Sequence, residues 1–341
     1  APSGHPPRRL RESSSVPENA SNTPDLTVVI PMCNAADTVG ELAQQILSLP
    51  NREVRIVAID DASTDGSPDA LRALGSDAIS VIELESNHGA GYARNVGFAQ
   101  ATGRYTLFFD ADDEIHVEAL ESAISELDST GADLAMMPYS YRRGHSTEYT
   151  GMNSFDEVVW RSYMSGMSDR VAPLTEVPRL LGFSNYPWNK VLRTDRYQDA
   201  GLRFGEVHVH NDILGHWMSL LLARKLVLLD EQICTHIVGE GGANLSNRMG
   251  RERLALFDAL DETYDMISGN PELRNRYSHH YWDFALRVTD WAISRISPEV
   301  VDEARYRLQA HLLRMSIVEF MRIRERRDPS LANRITSRAL A

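Results

Sequence analysis

The segment Phe108-Phe109-Asp110-Ala111-Asp112-Asp113 places three carboxylates within four residues, directly after an apolar run. In an extended chain residues two apart project to the same side, so Asp110 and Asp112 would send their carboxylates the same way. Like charges this close repel unless a cation or a donor-rich ligand sits among them. Hard oxygen donors suit Mg2+ or Mn2+, which often take one or two carboxylates and fill the rest of their shell with substrate phosphates. The plainer reading is a solvated acidic turn capping the following helix, and the segment alone supports both.

A second acidic cluster, Asp60-Asp61-Ala62-Ser63-Thr64-Asp65-Gly66-Ser67, also follows an apolar run. Carboxylates there can accept hydrogen bonds from a ribose hydroxyl or a base N–H. Ser63, Thr64 and Asp65 are equally good helix-capping residues, which makes part of the segment structural. Between the clusters lies Asn87-His-Gly-Ala-Gly-Tyr-Ala-Arg94-Asn95, in which Gly89 and Gly91 let the backbone approach a ligand or a neighbouring helix. Arg94, one turn inside the helix, can pair with a diphosphate or lock the aspartate cluster, and both roles need the same position.

The elements that must hold these residues alternate. Strands are predicted at 26–31, 54–60, 79–83, 105–110 and 134–137, from short β-branched apolar runs. Helices are predicted at 37–49, 68–74, 89–101 and 116–127, ended by Pro50, Gly75 and Gly103 in the first three cases. This alternation predicts an α/β fold with a mostly parallel sheet flanked by helices. Ligands in such folds bind beyond the carboxyl ends of the strands, where both acidic clusters fall. After Gly144 the pattern loosens; from Arg251 helical patterns dominate, at 251–268, 277–296 and 298–326. The organisation read from this is a disordered Ser- and Pro-rich tail over 1–24, a catalytic domain over 25–250 and a helical C-terminal region over 251–341. Within the domain, 25–140 is the nucleotide side and 141–250 the acceptor side.

The chain has 341 residues, a net charge of −13, 43% hydrophobic and 24% charged residues, an ordinary globular composition. The acidic balance argues against a nucleic-acid partner, which needs a basic face. The apolar run from Trp217 to Leu229 is broken by Arg224 and Lys225 and is too short to span a membrane. With two cysteines, Cys33 and Cys234, and no apolar stretch resembling a signal peptide, a cytoplasmic location is expected.

Five motifs, Val28-Val-Ile-Pro-Met-Cys-Asn34, Asp60-Asp-Ala-Ser-Thr-Asp65, Asn87-x-Gly89, Ala93-Arg-Asn95 and Phe109-Asp-Ala-Asp-Asp113, occur in this order and spacing. Together they resemble the family 2 glycosyltransferases, over roughly residues 26–240. The resemblance implies the GT-A fold, a nucleotide-sugar donor that is often UDP-linked, a divalent metal (Mn2+ or Mg2+) and inversion at the anomeric carbon. Carried over, it implies that Pro31, Asn34 and Asp61 line the nucleoside pocket with Asp60 beside them. Asn87, Gly89 and Arg94 belong to the same donor side, Asp110 approaches the ribose and Asp112 holds the metal. Two departures stand out: Cys33 replaces the usual Tyr, which alters the stacking surface for the base, and Ala62 stands where Gly is common.

On the acceptor side, Trp188-Asn-Lys190 looks like the family's Asn-Lys element, which implies phosphate neutralisation by Lys190 and a sugar platform at Trp188. The family's Glu-Asp pair corresponds to Asn211-Asp212, so Asp212 is the implied general base, and loss of the neighbouring Glu should leave it less basic. His236, ahead of a Gly-rich stretch with Gly239, Gly241 and Gly242, is implied to complete the metal shell or contact phosphates beneath a closing loop. His208, His210 and His216 with Asp212 suggest a rival zinc site, but their spacing matches no helix-borne zinc motif. The expected activity is transfer of a sugar from a nucleotide sugar to a hydroxyl of a glycan, glycolipid or small-molecule acceptor. The rivals are an inactive sugar-nucleotide binder or scaffold and a sugar-1-phosphate nucleotidyltransferase. The Arg-rich stretch 314–338 is a candidate for peripheral contact with the inner membrane face, ranking behind a solvated helical face or a homo-oligomer contact.

Overall fold

The computed structural model describes residues 23–144, 146–239 and 250–340. The tail expected over 1–24 therefore falls almost wholly outside the described residues, as do Gly241 and Gly242. Pro24 is described, and its carbonyl accepts the Arg104 amide at 2.9 Å.

The strands are β1 Leu26–Met32, β2 Val54–Asp60, β3 Ile79–Glu83, β4 Tyr105–Phe108, β5 Glu114–Ile115, β6 Leu134–Met136, β7 Tyr139–Arg143, β8 Tyr149–Thr150, β9 Asp169–Ala172, β10 Lys190–Arg193, β11 Leu226–Leu229 and β12 Cys234–Val238. The helices are α1 Val39–Leu47, α2 Ser67–Arg72, α3 Ala90–Ala99, α4 Val117–Thr130, α5 Ser154–Met164, α6 Thr194–Asp199, α7 Asp212–Leu221, α8 Ala255–Ser268, α9 Pro271–Ile293, α10 Val301–Leu312, α11 Ile317–Arg326 and α12 Pro329–Leu340.

Eight strands form one sheet in the order β3-β2-β1-β4-β10-β6-β11-β9. Every residue of β1 is buried, as a continuous apolar run demands of a strand covered on both faces. It pairs in parallel with β2, Met32 opposite Asp60, and with β4, Val29 opposite Phe108. The carboxyl ends of β1, β2 and β4 thus share one edge, with the two acidic clusters flanking the tip of β1. β10 enters antiparallel between β4 and β6, setting Lys190 opposite Met136. β9 closes the sheet antiparallel to β11, so the sheet is mixed. A second sheet has the order β5-β12-β7-β8.

Three sequence expectations need correction. The strand predicted through Asp110 ends at Phe108; the Phe109 amide still reaches Val29 O at 3.0 Å, and Asp110 lies past the ladder. The single helix expected over 298–326 is interrupted. After a 3-10 turn and α10 the chain breaks at 313–316, and Ser316 caps α11 by accepting the Glu319 amide at 3.2 Å. Glu319 turns inward to accept from Trp282 Nε1 at 2.8 Å and Tyr264 OH at 2.7 Å, and these two donors satisfy a carboxylate that is 1% exposed. In addition, α9 begins at Pro271 rather than Tyr277, because Asn270 caps it through the amides of Glu272 and Leu273.

Among the described residues no helix is long and apolar enough to cross a membrane. Several arginines of 314–338 are ion-paired inward: Arg314 with Asp261 at 2.7 Å, Arg334 with Asp283 at 2.5 Å and Arg338 with Asp290 at 3.0 Å. Those charges are directed at the helical region itself.

Candidate active site

At the tip of β1 the chain is laced to the loop after β2. Asn34 N donates to Ser63 Oγ at 2.8 Å, Ala35 N to Ser67 Oγ at 2.8 Å and Ala36 N to Asp65 Oδ2 at 2.9 Å. Asn34 Oδ1 returns the link by accepting the Thr64 amide at 2.8 Å. Ser63, Thr64 and Asp65 are therefore structural, the reading their capping character allowed. Asn34 and Ala62 both adopt positive φ, 55° and 60°. A glycine takes such a conformation freely, whereas Ala62 holds it at a cost.

Pro31 is buried within β1 opposite Ile59 and supports the crevice from behind. Asp61 is buried, and its two oxygens accept the backbone amides of His88 at 2.7 Å and Gly89 at 2.8 Å. Asp61 thus positions the 87–89 loop, and a base N–H would have to share its carboxylate. Asn87 Nδ2 donates to Asp61 O at 3.2 Å and lies 3.5 Å from the exposed Cys33 Sγ. Gly89 has φ 89°, and an added Cβ would lie 3.2 Å from His208 Nδ1. Asp60 accepts the Ser63 amide through Oδ2 and leaves Oδ1 buried without a partner. A buried acceptor left open is destabilising by about 1–3 kcal/mol, so it marks a place where a ligand donor would be favoured.

Arg94 joins the two halves of the crevice. Its guanidinium, almost fully buried, donates to Asp110 Oδ1 at 2.6 Å and to Asn211 Oδ1 at 2.8 Å. Of its two expected roles, the geometry selects the lock on the aspartate cluster. Gly91 makes this reach achievable, since a Cβ there would stand 1.9 Å from Gly205 O and 2.8 Å from Asn211 Cβ. The amide of Asn211 supplies a neutral acceptor where an acidic residue was the expected partner of Asp212.

Asp212 opens α7, half-buried, with no side-chain hydrogen bond among the described residues. Burial pushes its carboxyl up to about 6; Asp110 acts in the same direction, while Arg94 and Lys190 oppose it. The expectation of lower basicity takes a Glu-Asp pair as its reference; against a free carboxyl, burial is the dominant influence on Asp212. Lys190 differs from expectation more sharply. It is 3% exposed, its ammonium donates to Tyr186 O at 2.6 Å and Asn189 Oδ1 at 2.7 Å, and burial lowers it to about 7. It lies under the site and influences Asp212 through its charge; a diphosphate contact would require it to leave both partners.

Asp112 is exposed at the crevice mouth, with its carboxyl raised to about 6 by surrounding protein first and then by the charges of Asp113 and Asp110. His236 does not approach it as a ready-made pair. His236 Nδ1 lies 2.8 Å from Asp113 Oδ1, which also accepts the Ile237 amide at 2.8 Å. Among the described residues no group of three or more His, Cys, Asp or Glu side chains is placed to hold a metal ion by itself, and this includes the zinc site suggested by His208, His210 and His216. His216 is buried with Nε2 3.2 Å from Leu180 O, and burial holds His210 down to about 4. The donor set nevertheless fits Mn2+ or Mg2+ that takes most of its shell from phosphate and water. Asp112 is exposed, and Asp113 on Nδ1 leaves Nε2 as the nitrogen of His236 that would be available to a metal.

Trp188 is fully buried and stacked on Tyr186 at 4.4 Å, so it is no open sugar platform. Its stacking partner Tyr186 is half-buried and lies 5.3 Å from the His236 ring. Sequence reasoning missed Tyr186 and Asp113. Asp113 was visible as the third carboxylate of its run; Tyr186 had no signal beyond its nearness to Trp188.

A family model described as Glycosyl transferase family 2 matches residues 27–184. The chain is 32% identical over 288 residues to the glycosyltransferase YibD of Escherichia coli, covering 79% of each chain. The match to the succinoglycan biosynthesis protein ExoO of Rhizobium meliloti covers 34% of that protein and 35% of this chain. The match to the glycosyltransferase GlyA of Streptococcus pneumoniae covers 34% of that protein and 71% of this chain, so the chain spans about a third of the length of these relatives. The fold matches that of Staphylococcus aureus TarS residues 1–349 crystallised with UDP-GlcNAc, with a TM-score of 0.71 at 18% identity, covering 93% of this chain and 88% of that one. It also matches a mannosyltransferase of Pyrobaculum calidifontis in complex with GDP-Man and Mn2+, with a TM-score of 0.54 at 16% identity, covering 94% and 87%. With a relative this similar over most of both chains, and with the family motifs gathered at one sheet edge, the chain belongs to glycosyl transferase family 2, whose reaction is glycosyl transfer from a nucleotide sugar.

Proposed function

We propose that the chain transfers a hexose-type sugar from a UDP-sugar to a hydroxyl of a glycan, glycolipid or small-molecule acceptor, with inversion and with a divalent metal. The observation that carries this reading is the Arg94 bridge. One guanidinium ties Asp110, past the tip of β4, to Asn211, the residue beside Asp212. The donor carboxylates and the candidate base therefore border one crevice.

In this reading Asp60, with its open Oδ1, and Asp110 receive nucleoside hydroxyls or N–H groups. Asp61, Asn87 and Gly89 keep the loop beside them in place, over the surface built by Pro31 and Asn34. Asp212 takes the proton of the acceptor hydroxyl, and the oxygen forms a bond to the anomeric carbon as the carbon–oxygen bond to the diphosphate breaks on the opposite face. The nucleoside diphosphate leaves with that electron pair. A metal held by Asp112 and His236 would supply charge stabilisation for the leaving diphosphate. Asp113 orients His236, and Arg94 and Lys190 keep Asp212 ionised once it is desolvated. A cell-surface polysaccharide acceptor is supported by a further relative, S. aureus TarS, which is described as a poly(ribitol-phosphate) β-N-acetylglucosaminyltransferase.

The test is nucleotide release from UDP-GlcNAc, UDP-glucose, UDP-galactose and GDP-mannose, with Mn2+ or with chelator. Release of UDP that needs the metal and disappears in Asp112→Asn supports the reading. No release from any donor, or undiminished release by Asp112→Asn, removes it.

A further inference from the structure

The helical region meets the catalytic domain around a cavity of about 350 Å³, bordered by Phe155 of α5, Arg179 and Gly182 of the 3-10 turn Pro178–Gly182, His279 and Arg287 of α9, and Arg327 after α11. None of the sugar-transfer residues lines it. Its volume falls within the roughly 300–1,000 Å³ of small-molecule sites.

The charges in this seam are unevenly matched. Arg287 is fixed: its guanidinium lies 3.7 Å from the centre of the Phe155 ring and donates to Gly182 O at 3.1 Å and Asp283 Oδ2 at 3.0 Å. Asp283 is also taken by Arg334 at 2.5 Å. The other carboxylate, Asp328, caps α12 by accepting the Leu331 amide at 3.0 Å. Arg179 and Arg327 have no ion-pair partner among the described residues, although both border the cavity, and Arg179 sits 5.9 Å over the same Phe155 ring. Three guanidinium groups thus line the cavity with two carboxylates, one of which is also held by Arg334, in a chain whose net charge is −13.

The imidazoles add hydrogen-bonding capacity. The His279 and His280 rings lie with centroids 4.1 Å apart at a 40° tilt, and His279 Nδ1 is buried without a partner among the described residues. Burial first, and Arg327 next, lower His279 to about 4, so the ring is neutral near pH 7 and has one nitrogen that donates. Unpaired guanidinium groups beside an open imidazole are the donor set that planar or tetrahedral oxyanions select, and Arg is the preferred residue for phosphate.

We propose that this seam is a second ligand site, for a phosphate monoester whose phosphate is gripped by Arg179 and Arg327 with His279 as a third donor. The space beyond the phosphate accommodates a small polar organic group. The site is independent of the sugar-transfer reading, since the two share no residue.

The test titrates inorganic phosphate, and separately glucose 1-phosphate, into the full chain in chelator by calorimetry, with Arg179→Gln, Arg327→Gln and Asp112→Asn as variants. Both arginines are exposed, so their substitution spares the fold. Saturable binding that Arg179→Gln and Arg327→Gln each weaken by about tenfold or more, and Asp112→Asn leaves intact, supports the site. Tighter binding of glucose 1-phosphate than of phosphate identifies a phosphorylated small molecule, and equal binding identifies phosphate itself. Absence of saturable binding of both probes at millimolar concentration overturns the proposal. Binding lost in Asp112→Asn but kept in both arginine variants does so too, because the anion then sits in the donor crevice.

Discussion

Replacing Asp212 with Asn should make the protein more stable at alkaline pH while removing the proposed base. The carboxyl of Asp212 rises from an ordinary 3.8 to about 6 on folding. Because the folded value is the higher one, the folded chain binds the proton more tightly. The associated stability is complete below about pH 4 and is lost as pH rises through about 6. Two pKa units correspond to roughly 3 kcal/mol. Partial contact of the side chain with water trims this to roughly 2 kcal/mol. Asn has the same shape and no ionisation, so Asp212→Asn escapes the loss. Urea unfolding should show the variant more stable than wild type by roughly 2 kcal/mol at pH 8, with the difference closing below pH 4 and the slope m unchanged. Transfer should fall by about 10²–10⁴. Wild-type kcat/KM should rise with pH and level off above about 6, as the base loses its proton. Equal stabilities at pH 8 would refute the burial argument, and full turnover by the variant would refute the assignment of the base.

Lys190→Met tests the buried ammonium by its pH dependence. Lys190 falls from 10.5 to about 7 on folding, so the unfolded chain binds the extra proton between those values and wild-type stability gains with rising pH. The variant lacks that gain, and its advantage over wild type should shrink by about 4 kcal/mol between pH 7 and 10.5 in urea titrations. A constant difference contradicts this. Asp113→Asn should weaken Mn2+ binding by about 10–100-fold through the lost orientation of His236, read by calorimetry with UDP present; unchanged affinity removes Asp113 from that role. Gly91→Ala should lower stability by about 1–3 kcal/mol, because its Cβ meets Gly205 O and pushes α3 off the 205–211 segment. An unchanged melting temperature would show that the segment yields freely. Ala62→Gly should raise stability by up to about 1 kcal/mol by relieving φ 60°, and an unchanged or lower urea midpoint would contradict strain at this position.

Local pattern made half of this protein readable. The apolar runs at Leu26, Val54, Ile79 and Tyr105 are strands because burial on both faces leaves them no other stable use, and helices between them force parallel pairing. Both acidic clusters therefore stand at one edge by topology alone, and the family motifs follow from that edge. The short antiparallel strand Lys190–Arg193 carries no such signal. Its pairing with β4 and β6 depends on partners dozens of residues away, and Lys190, set opposite Met136, is buried there. Which carboxylates stay free is likewise a tertiary matter. Asp61 is taken by the amides of His88 and Gly89, Asp113 by His236, and Asp110 by Arg94, whereas no other described residue hydrogen-bonds the carboxylates of Asp112 and Asp212. Sequence by itself determined the residue types, their strand-tip placement and hence the family. Folding alone decided which charges face the crevice, because hydrogen-bond partners and burial are set by segments that meet only in three dimensions.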